Sequence, residues 1–155
     1  YEPEEEAVAI FYASMYGNTE NAANLLANSL AEAGVKNISL YDVSSTHVSD
    51  LIAEVFRCSH LVFASPTYNN GLYPAMYNFI HDMEALQLRN RTVGIIENGT
   101  WAPVSGKLMR AQLENLKDMT ILEPVVTLKS SLKAESKAQL EALKDAIVNS
   151  LNNAN

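Results

Sequence analysis

Apolar segments suited to β-strands alternate with helical segments five times along this chain. Because each helix must return the chain to the same end of the sheet, the alternation predicts parallel strands covered by helices on both faces. We expect an α/β, doubly wound three-layer sandwich whose five parallel strands take the spatial order 2-1-3-4-5. The predicted strands are Ala7–Ala13, Ile38–Val43, His60–Ala64, Thr92–Ile96 and Ile121–Leu128.

The predicted helices repeat apolar residues at helical spacing and are bounded by residues that favour helix ends. Gly34 suits the left-handed position after the first helix, Ser49 can cap the second, and Pro74 suits the first turn of the third. Pro124 lies within the fifth strand and indicates a break or an edge position. The predicted helices are Thr19–Ala33, Ser49–Phe56, Pro74–Leu86, Ser105–Leu116 and Ala134–Leu151.

The length and composition indicate one globular domain. The chain has 155 residues, of which 48% are hydrophobic, and this is enough to bury a full core. We expect an acidic linker or N-terminal extension at 1–6, the α/β domain at 7–151 and a polar tail at 152–155. The start at Tyr1 rather than at a methionine is typical of a domain taken from a longer polypeptide.

The net charge limits the kinds of partner that the chain is expected to bind, and the cysteine content limits the compartment in which it is expected to occur. The formal net charge is −7, which disfavours nucleic acids and anionic membranes because both bind basic surfaces. No apolar run approaches the roughly 20 residues of a membrane span. The single cysteine, Cys58, excludes an internal disulfide and favours a reducing compartment. We therefore expect a cytoplasmic protein whose partners are neither nucleic acids nor membranes.

The turn between the first strand and the first helix is a candidate anion site. Unpaired N–H groups and the positive end of the helix would converge there with hydroxyl side chains on one phosphate, and the turn contains no lysine or arginine. The alternative is an ordinary polar turn in which Asn18 or Thr19 caps the helix. The candidate residues are Ser14, Met15, Tyr16, Gly17, Asn18 and Thr19.

Two further loops follow the third and fourth strands, at the same edge of the predicted sheet. Both are rich in residues that expose backbone, and each carries one aromatic side chain, Tyr68 or Trp101, which suits the face of a flat ring. The alternatives are a half-buried loop residue for Tyr68 and a lid on the sheet for Trp101. The candidate residues are Ser65, Pro66, Thr67, Tyr68, Asn69, Asn70 and Gly71 in one loop, and Asn98, Gly99, Thr100 and Trp101 in the other.

Other binding motifs of comparable α/β folds are missing from this sequence. A dinucleotide-binding turn requires G-x-G-x-x-G, which is absent, and Gly106-Lys107 lacks the upstream glycine and the following hydroxyl of a P-loop. A phosphorylatable receiver domain requires acidic residues at positions where this chain has Ser14 and Ser65. These three classes are therefore disfavoured.

The turn resembles the Ser/Thr-x-x-Gly-x-Thr phosphate loop of flavodoxins at Ser14, Gly17 and Thr19. Pro66 to Pro74 and Val93 to Gly106 further resemble the flavodoxin-like domain of A-type flavoproteins, the flavodiiron proteins. The resemblance extends from Ala7 to about Leu151 and implies a flavodoxin-like fold that binds FMN. By position, residues 14–19 would hold the phosphate, residues 66–71 would line one side of the flavin and residues 98–101 the other.

The resemblance also implies a function and its partners. The chain would be an FMN-binding electron-transfer domain that accepts electrons from a redox protein such as a rubredoxin. It would pass them to a di-iron site, in a metallo-β-lactamase-like domain of the same or a partner chain, that reduces oxygen or nitric oxide. The H-x-E-x-D-H motif of that domain is absent here, so we predict neither metal ligands nor catalytic residues. The alternatives are a stand-alone flavodoxin carrier and an FMN-dependent NAD(P)H:quinone oxidoreductase.

Two positions depart from the family pattern. Many members have Tyr-Gly-Trp-Gly after the fourth strand, where this chain has Gly99-Thr100-Trp101-Ala102. The resemblance also places the peptide between Tyr68 and Asn69 beside the flavin, at a position where free-standing flavodoxins often have glycine. If that turn requires a positive φ at Tyr68, the tyrosine is expected to be strained.

Overall fold

The computed structural model describes residues 2–15, 17–69, 71–99, 103–129 and 133–153. Strands and helices alternate along these residues with two exceptions: the short strand β4 follows β3, and the short strands β6 and β7 follow one another. In chain order the elements are β1 (Glu5–Tyr12), α1 (Asn18–Glu32), β2 (Ile38–Asp42), α2 (Val48–Arg57), β3 (Cys58–Tyr68), β4 (Gly71–Leu72), α3 (Pro74–Ala85), β5 (Thr92–Asn98), α4 (Ser105–Leu113), β6 (Thr120–Ile121), β7 (Val126–Leu128) and α5 (Ala134–Asn153).

The central sheet confirms the predicted topology. Its order is β2-β1-β3-β5-β6, with these strands parallel, and β7 lies beside β5 on the same side as β6. The strand predicted as the fourth is β5, and the strand predicted as the fifth is divided into β6 and β7. The predicted order 2-1-3-4-5 is therefore correct, and the winding reverses between β1 and β3.

Pro124 separates the two halves of the last strand, as its position in the sequence predicts. Strand β6 pairs with the start of β5 at Thr92 and Val93, whereas β7 pairs with its end from Ile96 to Asn98. Proline has no N–H group with which to continue a ladder, and the intervening residues leave the sheet. The two short strands thus form one interrupted edge.

Two apolar clusters cover the two faces of the sheet. On one face the rings of Phe11, Phe63 and Phe79 pack together, with centroids 5.6 Å apart for Phe11–Phe63 and 4.9 Å apart for Phe11–Phe79, beneath α2, α3 and α4. On the other face Ile10 and Val62 pack against α1 and α5. The strands of the centre are buried on both faces, which explains their nearly continuous apolar sequences.

Several boundaries differ from the predicted ones. Ser65–Tyr68 continues β3 instead of forming a loop, because Ser65 pairs with Glu97 and Tyr68 pairs back with Gly71 of β4. Helix α2 is capped by His47, whose Nδ1 accepts the N–H of Ser49 at 3.2 Å, so the prediction of Ser49 as the cap was wrong.

The other ends of the elements shift by a few residues. Strand β1 begins at Glu5, helix α4 ends at Leu113, and helix α5 extends to Asn153, into the segment predicted as a polar tail. Gly34 follows α1 with φ 96°, so the predicted left-handed position is confirmed. None of the described helices is long and apolar enough to cross a membrane.

Two buried polar side chains stand out because local sequence patterns give no sign of them. Arg91 is 2% exposed, and its guanidinium donates to the carbonyl oxygens of Val55 (3.1 Å) and Phe56 (3.0 Å) at the end of α2. His60 is 4% exposed on β3, and its ring nitrogens lie 2.7 Å from Ser59 Oγ and 2.8 Å from Ser150 Oγ. Burial lowers the pKa of His60 to about 4. His60 thus connects β3 to α5, and Arg91, directly before β5, connects the start of that strand to α2.

Candidate functional site

The turn between β1 and α1 lies at the carboxyl edge of the sheet. Ser14 Oγ accepts the N–H of Gly17 at 2.9 Å, and Gly17 adopts a left-handed φ of 86° immediately before the helix. Among the described residues, no side chain caps α1. The first N–H groups of a helix have no partner within the helix, so this geometry suits an anion held by neutral donors. Tyr16 lies outside the described residues.

The end of β3 supplies a second group of candidate residues. Ser65 and Pro66 are buried, whereas Tyr68 is 39% exposed and its ring meets that of Tyr73 edge-on, with centroids 5.8 Å apart. The left-handed conformation falls on Asn69 (φ 49°), and Tyr68 does not share it. Asparagine tolerates this region, so the expected strain at Tyr68 is absent. Asn70 lies outside the described residues.

An open groove of about 510 Å³ runs beside the turn and the end of β3, and this volume falls within the usual range for a ligand site. Its walls include Met15 and Tyr68, which the sequence predicts as site residues, and four residues that it does not predict. The full lining is Met15, Ser44, Tyr68, Tyr73, Pro74 and Ala75. Ser44 follows β2 in a loop without a recognisable motif, and Tyr73 precedes α3, at the end of the segment that resembles flavodiiron proteins but outside the predicted site residues. Their proximity becomes apparent only when the strands are placed side by side.

The third group of candidate residues follows β5 and approaches the turn from the other side. Asn98 is 8% exposed and donates from Nδ2 to Thr19 Oγ1 at 3.3 Å. Gly99 donates its N–H to Leu128 O at 3.0 Å and lies so close to Pro103 that a Cβ would be 2.9 Å from its Cα. Thr100 and Trp101 lie outside the described residues. Asn98 therefore joins the turn, while none of the described residues of this loop lines the groove.

The titratable groups of the described residues include a buried thiol and a tyrosine paired with a glutamate. In the part of the chain that the structure describes, no cluster of histidine, cysteine, aspartate and glutamate side chains could hold a metal ion. The thiol of Cys58 is buried, and burial is the main reason that its pKa rises to about 11. A thiol of this kind remains protonated and unreactive at neutral pH. Near α1, the hydroxyl of Tyr12 donates to Glu20 Oε1 at 3.1 Å.

The parallel order of the sheet and the turn at its switch point define a flavodoxin-like protein. The chain belongs to the flavodoxin family, whose model matches residues 10–144. Two curated relatives illustrate what the chain is similar to. It is 28% identical over 109 residues to the rubredoxin-oxygen oxidoreductase of Megalodesulfovibrio gigas, covering 70% of this chain and 27% of that protein. It is 25% identical over 100 residues to the anaerobic nitric oxide reductase flavorubredoxin of Escherichia coli, covering 64% and 21%.

Solved structures of both kinds of protein share the fold of this chain. The rubredoxin oxygen:oxidoreductase of Desulfovibrio gigas superposes with a TM-score of 0.86 at 26% identity, over 97% of this chain and 37% of that one. A flavodoxin of Streptococcus pneumoniae shares the fold with a TM-score of 0.72 at 21% identity, over 93% of this chain and 99% of that one. The chain thus spans about a quarter of the curated oxidoreductase and nearly all of a flavodoxin.

Proposed function

We propose that this chain binds FMN at the carboxyl edge of the sheet, between the turn after β1 and the ends of β3 and β5. The observation that carries the proposal is the contact of Asn98 Nδ2 with Thr19 Oγ1, because it joins the turn to the loop after β5. Gly17 and Ser14 shape the turn beside it. The flavodoxin family, and relatives named as a flavorubredoxin and a flavodoxin, support the cofactor.

The described residues fit the two chemically different ends of FMN. The phosphate would meet the uncapped start of α1 and the hydroxyls of Ser14 and Thr19, all of them neutral donors. The flavin ring would lie towards the groove, whose exposed Tyr68 and Met15 offer apolar surface. FMN, when bound, supplies one- and two-electron transfer. The protein supplies the binding, the orientation and the exclusion of water.

We infer that the domain passes electrons to a di-iron site on another domain or subunit, where oxygen or nitric oxide is reduced. The names of the two curated relatives support this role, as does the small share of their length that the chain covers. The described residues include no cluster able to bind iron. A rubredoxin-like protein is the proposed donor, by the same analogy.

Assays of the purified chain test FMN binding, electron uptake and catalysis separately. We expect one FMN per chain, with FAD bound poorly, and reduction by a reduced rubredoxin. The reduced chain, shown by metal analysis to be free of iron, should produce no nitrous oxide from nitric oxide. Sustained nitrous oxide production by the iron-free chain would overturn the assignment of catalysis to another domain. Direct reduction by NAD(P)H would instead indicate a quinone oxidoreductase.

A stand-alone flavodoxin is the second candidate function, favoured by the 99% coverage of the pneumococcal flavodoxin. The sequence of the full reading frame distinguishes the two. An H-x-E-x-D-H motif in the same polypeptide, or in a polypeptide that co-purifies with this chain, supports the flavodiiron role. A reading frame that contains only this domain and has no such partner supports the carrier.

Replacing Thr19 with alanine is expected to weaken FMN binding by roughly 1–3 kcal/mol, the range for a hydrogen bond to a charged group. Thr19 Oγ1 already accepts from Asn98, so its own hydrogen remains to be donated to the phosphate. Riboflavin, which has no phosphate, should lose much less affinity, and Thr19→Ser should retain most of the affinity for FMN. Titrations of flavin fluorescence measure the dissociation constant of each protein for FMN and for riboflavin. Equal losses for FMN and riboflavin would show that Thr19 does not contact the phosphate.

Gly17 and Gly34 form a matched pair for testing the turn. Both have positive φ, and a Cβ at either position would meet no atom within 4 Å. Alanine at either position should therefore lower the free energy of unfolding by a similar amount, about 1–2 kcal/mol, through backbone strain alone. Only Gly17→Ala should also weaken FMN binding, since only Gly17 belongs to the turn. Chemical denaturation and FMN titration of both variants check this, and equal FMN affinities would contradict it.

A further inference from the structure

Helix α4 begins without a side-chain cap from its own segment. Its first residue is Ser105, its N-cap residue is Val104, and the side chain of Val104 cannot accept a hydrogen bond. The cap comes instead from Thr67, near the end of β3. Thr67 Oγ1 accepts the N–H of Val104 at 2.9 Å and that of Ser105 at 3.1 Å. Two amides at the start of α4 are thus satisfied by a hydroxyl on another strand.

A second hydrogen bond runs alongside the first. Ser105 Oγ donates to the carbonyl oxygen of Ser65 at 2.8 Å, and both serine residues are fully buried. In such a site, a group that loses its partner is not compensated by water, so breaking either contact is costly. The end of β3 and the start of α4 are therefore held together by a small buried network.

This network lies between two of the loops assigned to the flavin site. Residues 99–103 lead from β5 to α4, and Gly99 is fixed at their start by its N–H donation to Leu128 O at 3.0 Å. Thr67 fixes the other end by holding Val104. Thr67 itself directly precedes Tyr68, which lines the groove. The separation between the end of β3 and the start of α4 thus depends on the Thr67 hydroxyl.

We propose that Thr67 is a positioning residue, whose hydroxyl caps α4 from β3 and thereby sets the separation of the two loops that flank the flavin. The inference rests on the proposed function but assigns Thr67 a role different from a direct flavin contact. Its oxygen accepts two N–H groups and so uses both of its lone pairs within the protein. The residue acts on the ligand through Val104 and Ser105.

Thr67→Val keeps the shape of the side chain and removes the acceptor. We expect it to weaken the binding of FMN and riboflavin alike, by about tenfold, because the loops and not the phosphate are displaced. Thr67→Ser keeps the hydroxyl and should restore most of the affinity. The visible circular dichroism of the bound flavin should change in Thr67→Val and return to the wild-type spectrum in Thr67→Ser.

Two further variants test whether the effect passes through α4. Ser105→Ala removes the neighbouring hydrogen bond to Ser65 without altering Thr67. It should weaken the binding of FMN and of riboflavin equally, and by less than Thr67→Val does. Thr120→Val makes the same chemical change on β6, where Thr120 is exposed and pairs with the start of β5, at the edge opposite the proposed site. It should bind both flavins as the wild type does.

The outcomes separate the inference from the proposed function. A wild-type chain that binds no flavin overturns both. A wild-type chain that binds FMN, together with a Thr67→Val variant of equal affinity, overturns the inference alone. So does a Thr67→Ser variant as weak as Thr67→Val, which would show that the hydroxyl is not the group responsible. A Ser105→Ala variant with unchanged affinity also overturns the inference, because it would show that Thr67 does not act through α4. If Thr67→Val does not fold, Ser105→Ala decides: weaker binding of both flavins supports the inference, and unchanged affinity overturns it.

Discussion

Replacing Arg91 with alanine is expected to lower the free energy of unfolding by about 3–5 kcal/mol, the range for breaking a buried hydrogen-bond network. The guanidinium donates to Val55 and Phe56 in the last turn of α2, and also to the carbonyl of Arg89 at 2.6 Å. Alanine leaves these carbonyl oxygens buried without that donor and removes a large side chain from a packed site. Urea unfolding followed by far-ultraviolet circular dichroism measures the change.

Two variants show whether the network or the charge alone is responsible. Arg91→Lys keeps the positive charge, but its single ammonium group cannot donate to several carbonyl oxygens at once as the planar guanidinium does. It should therefore recover only part of the lost free energy of unfolding. Arg110→Ala removes a more exposed arginine that is paired with Glu114 at 3.0 Å, and it should cost less than about 1 kcal/mol. A similar small loss in Arg91→Ala would contradict a structural role for the buried guanidinium.

Acidification from pH 7.5 to pH 5 is expected to lower the free energy of unfolding by about 2 kcal/mol, because His60 must stay neutral in the folded chain. Its pKa is about 4 when folded and near the ordinary value of 6.5 when unfolded. The unfolded chain therefore binds a proton in this window while the folded chain does not. The loss begins as the pH falls through the unfolded pKa and is complete below the folded one.

His60→Gln removes the titration while keeping a group that can both donate and accept towards Ser59 and Ser150. Its free energy of unfolding should change little between pH 7.5 and pH 5. His81→Gln, at an exposed position beside Tyr77, should retain the pH dependence of the wild type. The titration stops at pH 5 because Glu54, whose pKa is lowered mainly by its hydrogen bond with Arg57, would contribute to the pH dependence at lower pH. Identical slopes for wild type and His60→Gln would exclude His60 as the cause.

The central strands and their order could be predicted because they are buried on both faces. Residues such as Val8 to Phe11 and Leu61 to Ala64 have no polar face, and this composition is visible in the sequence itself. The continuation of β3 through Ser65-Pro66-Thr67-Tyr68 could not be predicted in the same way. Its polar residues and its proline indicate a loop, and only pairing with β5 and β4 makes the segment a strand.

The turn after β1 could be predicted as part of the site because its residues are adjacent in the sequence. Ser14, Gly17 and Thr19 lie within six consecutive residues, so a local pattern identifies them. Ser44 and Tyr73 enter the groove from separate loops, and Thr67 reaches the amides of α4 across 37 residues of sequence. Such contacts depend on the arrangement of the strands. Similarly, Arg91 precedes an apolar strand and would be taken from the sequence for a surface charge.

The interrupted last strand also affects how copies of the protein behave in concentrated solution. An open sheet edge exposes unpaired N–H and C=O groups that can recruit a strand from another molecule. One edge of this sheet is β2, and the other consists of β6 and β7, which are only two and three residues long and are separated by Pro124. Neither stretch offers a continuous row of donors and acceptors to an incoming chain. The break at Pro124 therefore disfavours the pairing of a second copy along the edge formed by β6 and β7.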